Sequence, residues 1–147
     1  MVKNFGQLSS GETAHLYSLM TDMLRICVTD FGGTLVSVEV KDKSGEFVDI
    51  TLGYDDVAGY ENDNDCFGFN IGRNANRISN AQFTLNNIKY VLAKNDGENN
   101  LHSGPHLFSK RMWHVTEYRD DSIIFEIESL HLDQGFPGNA KFYIIYR

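Results

Sequence analysis

Apolar residues in this chain recur at every second position in short runs, and polar turns break each run before it grows long. Leu24, Ile26 and Val28 share one face of such a run, which stops at Asp30-Phe31-Gly32-Gly33. Val36, Val38 and Val40 alternate in the next, the polar turn from Lys41 to Glu46 follows, and Phe47 to Leu52 resumes the extended pattern. A spacing of two puts alternate side chains on one face of a strand, and helical spacing is nearly absent apart from one turn over Asp55 to Tyr60. Further strands are predicted at Met112–Tyr118, Ser122–Glu128 and Lys141–Arg147, the first two joined by Arg119-Asp120-Asp121. Many short strands with closely spaced turns predict an all-β fold, an antiparallel β-sandwich or barrel.

The strongest local signal is a hairpin. Asn86-Asn87 sits between Phe83-Thr84-Leu85 and Ile88-Lys89-Tyr90. Asparagine tolerates the left-handed conformation that a two-residue type I′ turn requires at both central positions. That turn places Leu85 opposite Ile88 and Phe83 opposite Tyr90, so one face of the ribbon is apolar.

The chain has 147 residues, enough for one domain with a substantial core, with no linker or repeat to divide it. A net charge of −7 argues against a nucleic-acid partner, because phosphate binding needs a surplus of Lys and Arg. No apolar stretch suits a signal peptide or a membrane span. Cys27 and Cys66 form no CxxC pair and no Asn-x-Ser/Thr sequon occurs, so a reducing, cytoplasmic setting is expected.

Chemistry-bearing residues concentrate between Gly72 and Gly104. The run Gly72-Arg73-Asn74-Ala75-Asn76-Arg77 is followed by the hairpin and then by the loop Asn99-Asn100-Leu101-His102-Ser103-Gly104. His102 and His106 have a His-x3-His spacing, but Gly104 and Pro105 between them deny it a helical metal face, so no metal site is assigned. Asp63-Asn64-Asp65 opens like a calcium loop, yet Phe67 and Asn74 stand where ligands are needed, which favours a solvated acidic loop. One glycine and no strand-to-helix context make the Gly72 run a poor phosphate loop. Arg77 and Asn76 admit two readings, a solubilising surface loop or a grip on a small hydroxylated ligand. A guanidinium fork can bind two oxygens of a vicinal diol, and a carboxamide both donates to and accepts from a hydroxyl. His102 is likewise either a structural hydrogen-bonder or a ligand contact on a loop that glycine opens to close approach.

Taken in order, Asp30-Phe31-Gly32-Gly33-Thr34-Leu35, Val48-Asp49-Ile50-Thr51-Leu52-Gly53-Tyr54, Phe67-Gly68, Gly72-Arg73-x-Ala75-Asn76-Arg77-Ile78, Phe83-Thr84-Leu85, Asn100-Leu101-His102 and Gly135-Phe136-Pro137-Gly138 resemble the N-terminal half of the aldose 1-epimerases, the galactose mutarotases. The resemblance runs over almost the whole chain. It implies a galactose mutarotase-like β-sandwich of which residues 1–147 form the N-terminal part, incomplete at the C-terminus. It also implies a hexose such as galactose or glucose as small-molecule partner, and interconversion of its α and β anomers by acid–base ring opening without metal or other cofactor. Asn76, Arg77 and His102 would then bind substrate, while the general-acid histidine and general-base glutamate would lie beyond Arg147. On that expectation the chain alone is inactive. The alternative is a non-catalytic carbohydrate-binding module, or one that self-associates through unpaired strand edges. An epimerase of phosphorylated sugars ranks lower, because no basic cluster accompanies Arg73 and Arg77. Two departures stand out from the family pattern: Ser103 where it usually has glycine, and His106-Leu107-Phe108-Ser109-Lys110 in place of a Gly-Phe-Asp-Lys run.

Overall fold

The computed structural model describes residues 1–63 and 65–147. Its first half is an antiparallel meander in chain order: β1 (Val2–Gln7), β2 (Thr13–Met20), β3 (Leu24–Thr29), β4 (Leu35–Lys41) and β5 (Phe47–Asp49). The β3–β4 turn is set by Gly32 and Gly33, both at positive φ (75° and 58°); a Cβ on Gly32 would lie 2.4 Å from the Ser109 carbonyl oxygen. Just before it, the buried Asp30 carboxylate accepts hydrogen bonds from the His15 backbone N–H (2.7 Å) and the Tyr17 hydroxyl (3.2 Å). Burial, and then the nearby Asp30 charge, push the Tyr17 phenol up to about 12, so it remains a donor.

A helix of six residues, α1 (Val57–Asn62), begins at Asp56, whose side chain accepts from the Gly59 N–H. Its carbonyl end is closed by the Lys110 ammonium, which donates to the carbonyls of Tyr60 (2.6 Å), Glu61 (3.1 Å) and Asp63 (2.8 Å). The second half carries β6 (Arg77–Ile78), the hairpin of β7 (Gln82–Leu85) and β8 (Ile88–Val91), and β9 (Asn100–Leu101), which pairs with β6. A three-stranded antiparallel sheet follows, formed by β10 (His114–Tyr118), β11 (Ile123–Ser129) and β12 (Ala140–Tyr146).

These two larger sheets make the sandwich. Leu19 and Val28 of the first pack with Ile123 and Phe125 of the second, joined by Phe108 and Trp113. Fully burying a side chain such as Ile123 or Phe125 contributes roughly 1.5–3 kcal/mol. Phe5, Leu16 and Val36 form a separate cluster with Val57 and Tyr60 of α1. No helix among the described residues is long and apolar enough to cross a membrane.

The hairpin keeps the expected register, Leu85 opposite Ile88 and Phe83 opposite Tyr90, with Asn86 and Asn87 at φ 51° and 61°. Other expectations need correction. The strand expected to run to Leu52 ends at Asp49, because the Asp49 carboxylate turns back to accept from the N–H groups of Val38 (3.2 Å) and Thr51 (3.0 Å) and from the Thr51 hydroxyl (2.7 Å). The helical turn lies two residues later than read. Asn64 is outside the described residues, but Asp63 is buried rather than solvated: its carboxylate holds the Tyr54 hydroxyl (3.1 Å) and the N–H groups of Asp65 (2.6 Å) and Phe67 (3.1 Å).

Candidate functional site

Two residues of β6 pair with two of β9, Arg77 opposite Leu101 and Ile78 opposite Asn100. So short a ladder is weak alone, and hydrogen bonds on both sides extend it. The side chain of Asn95 acts as a surrogate strand, accepting from the Leu101 N–H (2.7 Å) and donating to its carbonyl (2.9 Å). The buried Asn100 carboxamide donates to the carbonyls of Ala93 (2.9 Å) and Gly104 (3.1 Å). Beyond the pair, the His102 N–H donates to the Asn76 carbonyl (3.0 Å), and the Asn76 N–H donates back to His102 Nδ1 (2.9 Å). Both residues are left-handed (φ 64° and 55°), a conformation that Asn and His enter more readily than most. Ser103 follows at φ 58°, and its hydroxyl clamps Asn74, accepting from the N–H (2.8 Å) and donating to the carbonyl (3.1 Å).

This arrangement brings Asn76, Arg77 and His102 together. Arg77 Nε donates to Asp96 Oδ2 (2.6 Å) and Nη1 to Asn76 Oδ1 (3.2 Å), which fixes the guanidinium plane while leaving N–H groups unused. Asn76 and Arg77 are exposed and His102 is half-buried. A backbone amide can only donate, so Nδ1 of His102 must be the unprotonated nitrogen and Nε2 carries the proton. With its lone pair engaged by the Asn76 N–H, Nδ1 is not free to take a proton from a ligand. Asn76 does not titrate and an arginine stays charged. The trio can therefore hold hydroxyl groups, but as bonded it has no member suited to moving protons. Among the described residues no group of three His, Cys, Asp or Glu stands close enough together to hold a metal ion.

Arg73, only four residues before Arg77, has different partners. It donates to the Ser129 hydroxyl (2.8 Å) and to the carbonyls of Ser129 (2.8 Å), Leu130 (2.9 Å), Pro137 (2.9 Å) and Gly138 (2.9 Å). The Gly135-Phe136-Pro137-Gly138 turn thus supplies carbonyls to an arginine that sequence alone grouped with Arg77. Ser129 in turn donates to Asp133 (2.6 Å), which holds Arg111 through both carboxylate oxygens (2.8 and 3.0 Å). Sequence reading did not single out Asp96 or Asn95, and it noted Ser103 only as a departure. Asn95-Asp96-Gly97 is a turn signature, but nothing local ties that turn to Arg77.

A profile of the family described as aldose 1-epimerase matches residues 15–147. Galactose mutarotase of Bos taurus is 36% identical over 143 residues, covering 97% of this chain and 42% of the relative. Aldose 1-epimerase of Escherichia coli is 34% identical over 122 residues, 83% of this chain and 35% of the relative. An aldose epimerase homologue from C. elegans superposes with a TM-score of 0.85 at 30% identity, over 90% of this chain and 41% of its own. Galactose 1-epimerase of Lactobacillus acidophilus shares the fold at a TM-score of 0.84 and 21% identity, over 99% and 43%. The chain thus spans about two fifths of the length of the bovine relative.

Proposed function

The chain belongs to the aldose 1-epimerase family, and from that premise we propose that Asn76, Arg77 and His102 are its contribution to the grip on a neutral hexopyranose such as galactose or glucose. The observation that carries the reading is the mutual bonding of Asn76 and His102 across two loops, with Arg77 beside them. It sets a guanidinium, a carboxamide and an imidazole beside one another. Hydroxyls of a sugar accept from the first and last, and exchange bonds with the carboxamide. Anomer interconversion also needs a proton taken from the anomeric hydroxyl and one given to the ring oxygen. The trio as bonded does neither, so the role proposed for it is binding, and this chain by itself is inactive.

Titration with galactose tests the binding role. Saturable binding is expected, and Arg77→Ala should weaken it about tenfold or more, the equivalent of losing a charged hydrogen bond of roughly 1.5–3 kcal/mol. Polarimetry of freshly dissolved α-galactose tests inactivity: the rate with the chain should equal the rate without it, and a clear acceleration would refute the division of labour. A second reading, an associating β module, is favoured by one observation: β12 stands at the end of its sheet with Tyr143 and Ile145 exposed.

A further inference from the structure

We propose that Asp96 sets the charge of this grip and so selects uncharged pyranoses over phosphorylated ones; the proposal rests on the sugar-binding reading of Arg77. Its carboxylate lies 2.6 Å from Arg77 Nε, the shortest bond the guanidinium makes, and meets it with both groups partly exposed. The carboxylate's position is built in. The Asp96 N–H donates to the Asn99 carbonyl (3.2 Å), the Asn99 N–H donates back (3.0 Å), and Gly97 between them takes φ 59°. The Asn99 side chain also accepts from the Asn80 N–H (3.2 Å), pinning this turn to the segment that follows β6.

Arg77 faces Asp96, and Lys94, two residues before Asp96, is itself paired with Glu98. Arg73 is committed to five protein oxygens of Ser129, Leu130, Pro137 and Gly138. A phosphate approaching Arg77 therefore meets a carboxylate at close range, and like charges at such separation repel strongly outside bulk water. A hydroxyl meets no such penalty. It accepts from an unused N–H of Arg77 and donates to Asp96, a pair of bonds that a phosphate oxyanion, having no proton to give, cannot make.

The test compares galactose with galactose 6-phosphate, each titrated into the 147-residue chain and followed by amide chemical shifts. The original chain should bind galactose at least tenfold more tightly than the phosphate. Asp96→Asn should weaken galactose a few-fold and strengthen the phosphate, moving the ratio of affinities at least tenfold, and added salt should erase the gain. Asp96→Glu should keep the original preference. A merely structural role for Asp96 weakens both ligands together and cannot produce a gain for one. A ratio unchanged within twofold in Asp96→Asn overturns the proposal while leaving the sugar grip standing. Failure of the original chain to bind galactose at all overturns both.

Discussion

Ser103 shows how one side chain offsets an unfavourable backbone. A left-handed non-glycine residue costs about 1–2 kcal/mol, which a glycine at this place would avoid. The serine hydroxyl instead holds both backbone groups of Asn74, and two such bonds contribute about 0.5–1.5 kcal/mol each. Ser103→Gly trades strain relief for both bonds and should lose on the order of 1 kcal/mol. Ser103→Ala keeps the strain, loses the bonds and leaves Asn74 partnerless, so it should lose about 2–3 kcal/mol. Denaturant unfolding should rank the chains original, glycine variant, alanine variant; an alanine variant as stable as the original would show that the clamp contributes nothing. Legibility at this scale divides the same way. Asn76, Arg77 and His102 stood out because an ordered set of short motifs flanks them. Asp96 did not, because its link to Arg77 runs through a two-residue ladder that no periodicity can reveal.

Elements explain why one arginine of the Gly72 run binds outward and the other inward. Arg73 knots the end of β11 and the Gly135–Gly138 turn to the start of the site loop, and Asp133 with Arg111 completes the knot. The bonds from Arg111 hold the Asp133 carboxyl below its ordinary value of 3.8, against the opposing effect of burial. A carboxyl depressed in the folded state contributes its stability fully above the unfolded value, and loses it as pH falls through the folded value. Stability should therefore drop below about pH 4, and Asp133→Asn should flatten part of that drop while costing roughly 1.5–3 kcal/mol at neutral pH, since Arg111 loses its charged partner and keeps the His106 carbonyl (3.0 and 2.7 Å). Urea unfolding from pH 7 to pH 2.5 measures both; an unaltered acid limb in the variant would remove Asp133 from the account. β3, β4, β5, the β7–β8 hairpin and β10 to β12 were readable by alternation and turn chemistry, whereas the two-residue strands β6 and β9 carry no such signal. β1 and β2 were not assigned, and for β2 the cause is physical: Ala14 and Leu16 face one core cluster while Leu19 joins the other, so burial on both faces hides the period of two. Asp49 ended β5 early by a side-chain choice that composition does not announce.

At the scale of the described residues, the site's strands β6 and β9 belong to neither larger sheet, and β12 is an outer strand of its three-stranded sheet with alternate residues turned outward. Phe142, Ile144 and Tyr146 pack inward, while Tyr143 (54% exposed) and Ile145 (53%) do not. An edge strand with such a face is a template for pairing, and it carries Lys141, already bound to Glu126 (2.9 Å), as its only charge between Ala140 and Tyr146. Two copies joined along β12 would cover these four side chains. Each is already half-covered, so each would contribute about 1 kcal/mol, set against an association cost of roughly 4–15 kcal/mol before edge hydrogen bonds are counted. Association should therefore be weak, visible in sedimentation only as concentration rises into the hundred-micromolar range, about 5–6 kcal/mol by the usual conversion. Ile145→Lys removes apolar area and sets a cation on the mating face, so it should lower the association constant at least tenfold, and the 53% exposure of that position predicts a change in monomer stability of no more than about 0.5 kcal/mol. A mass independent of concentration in the original chain would show that the edge is guarded by its own twist and charge, and would remove the associating module as a rival to the sugar grip.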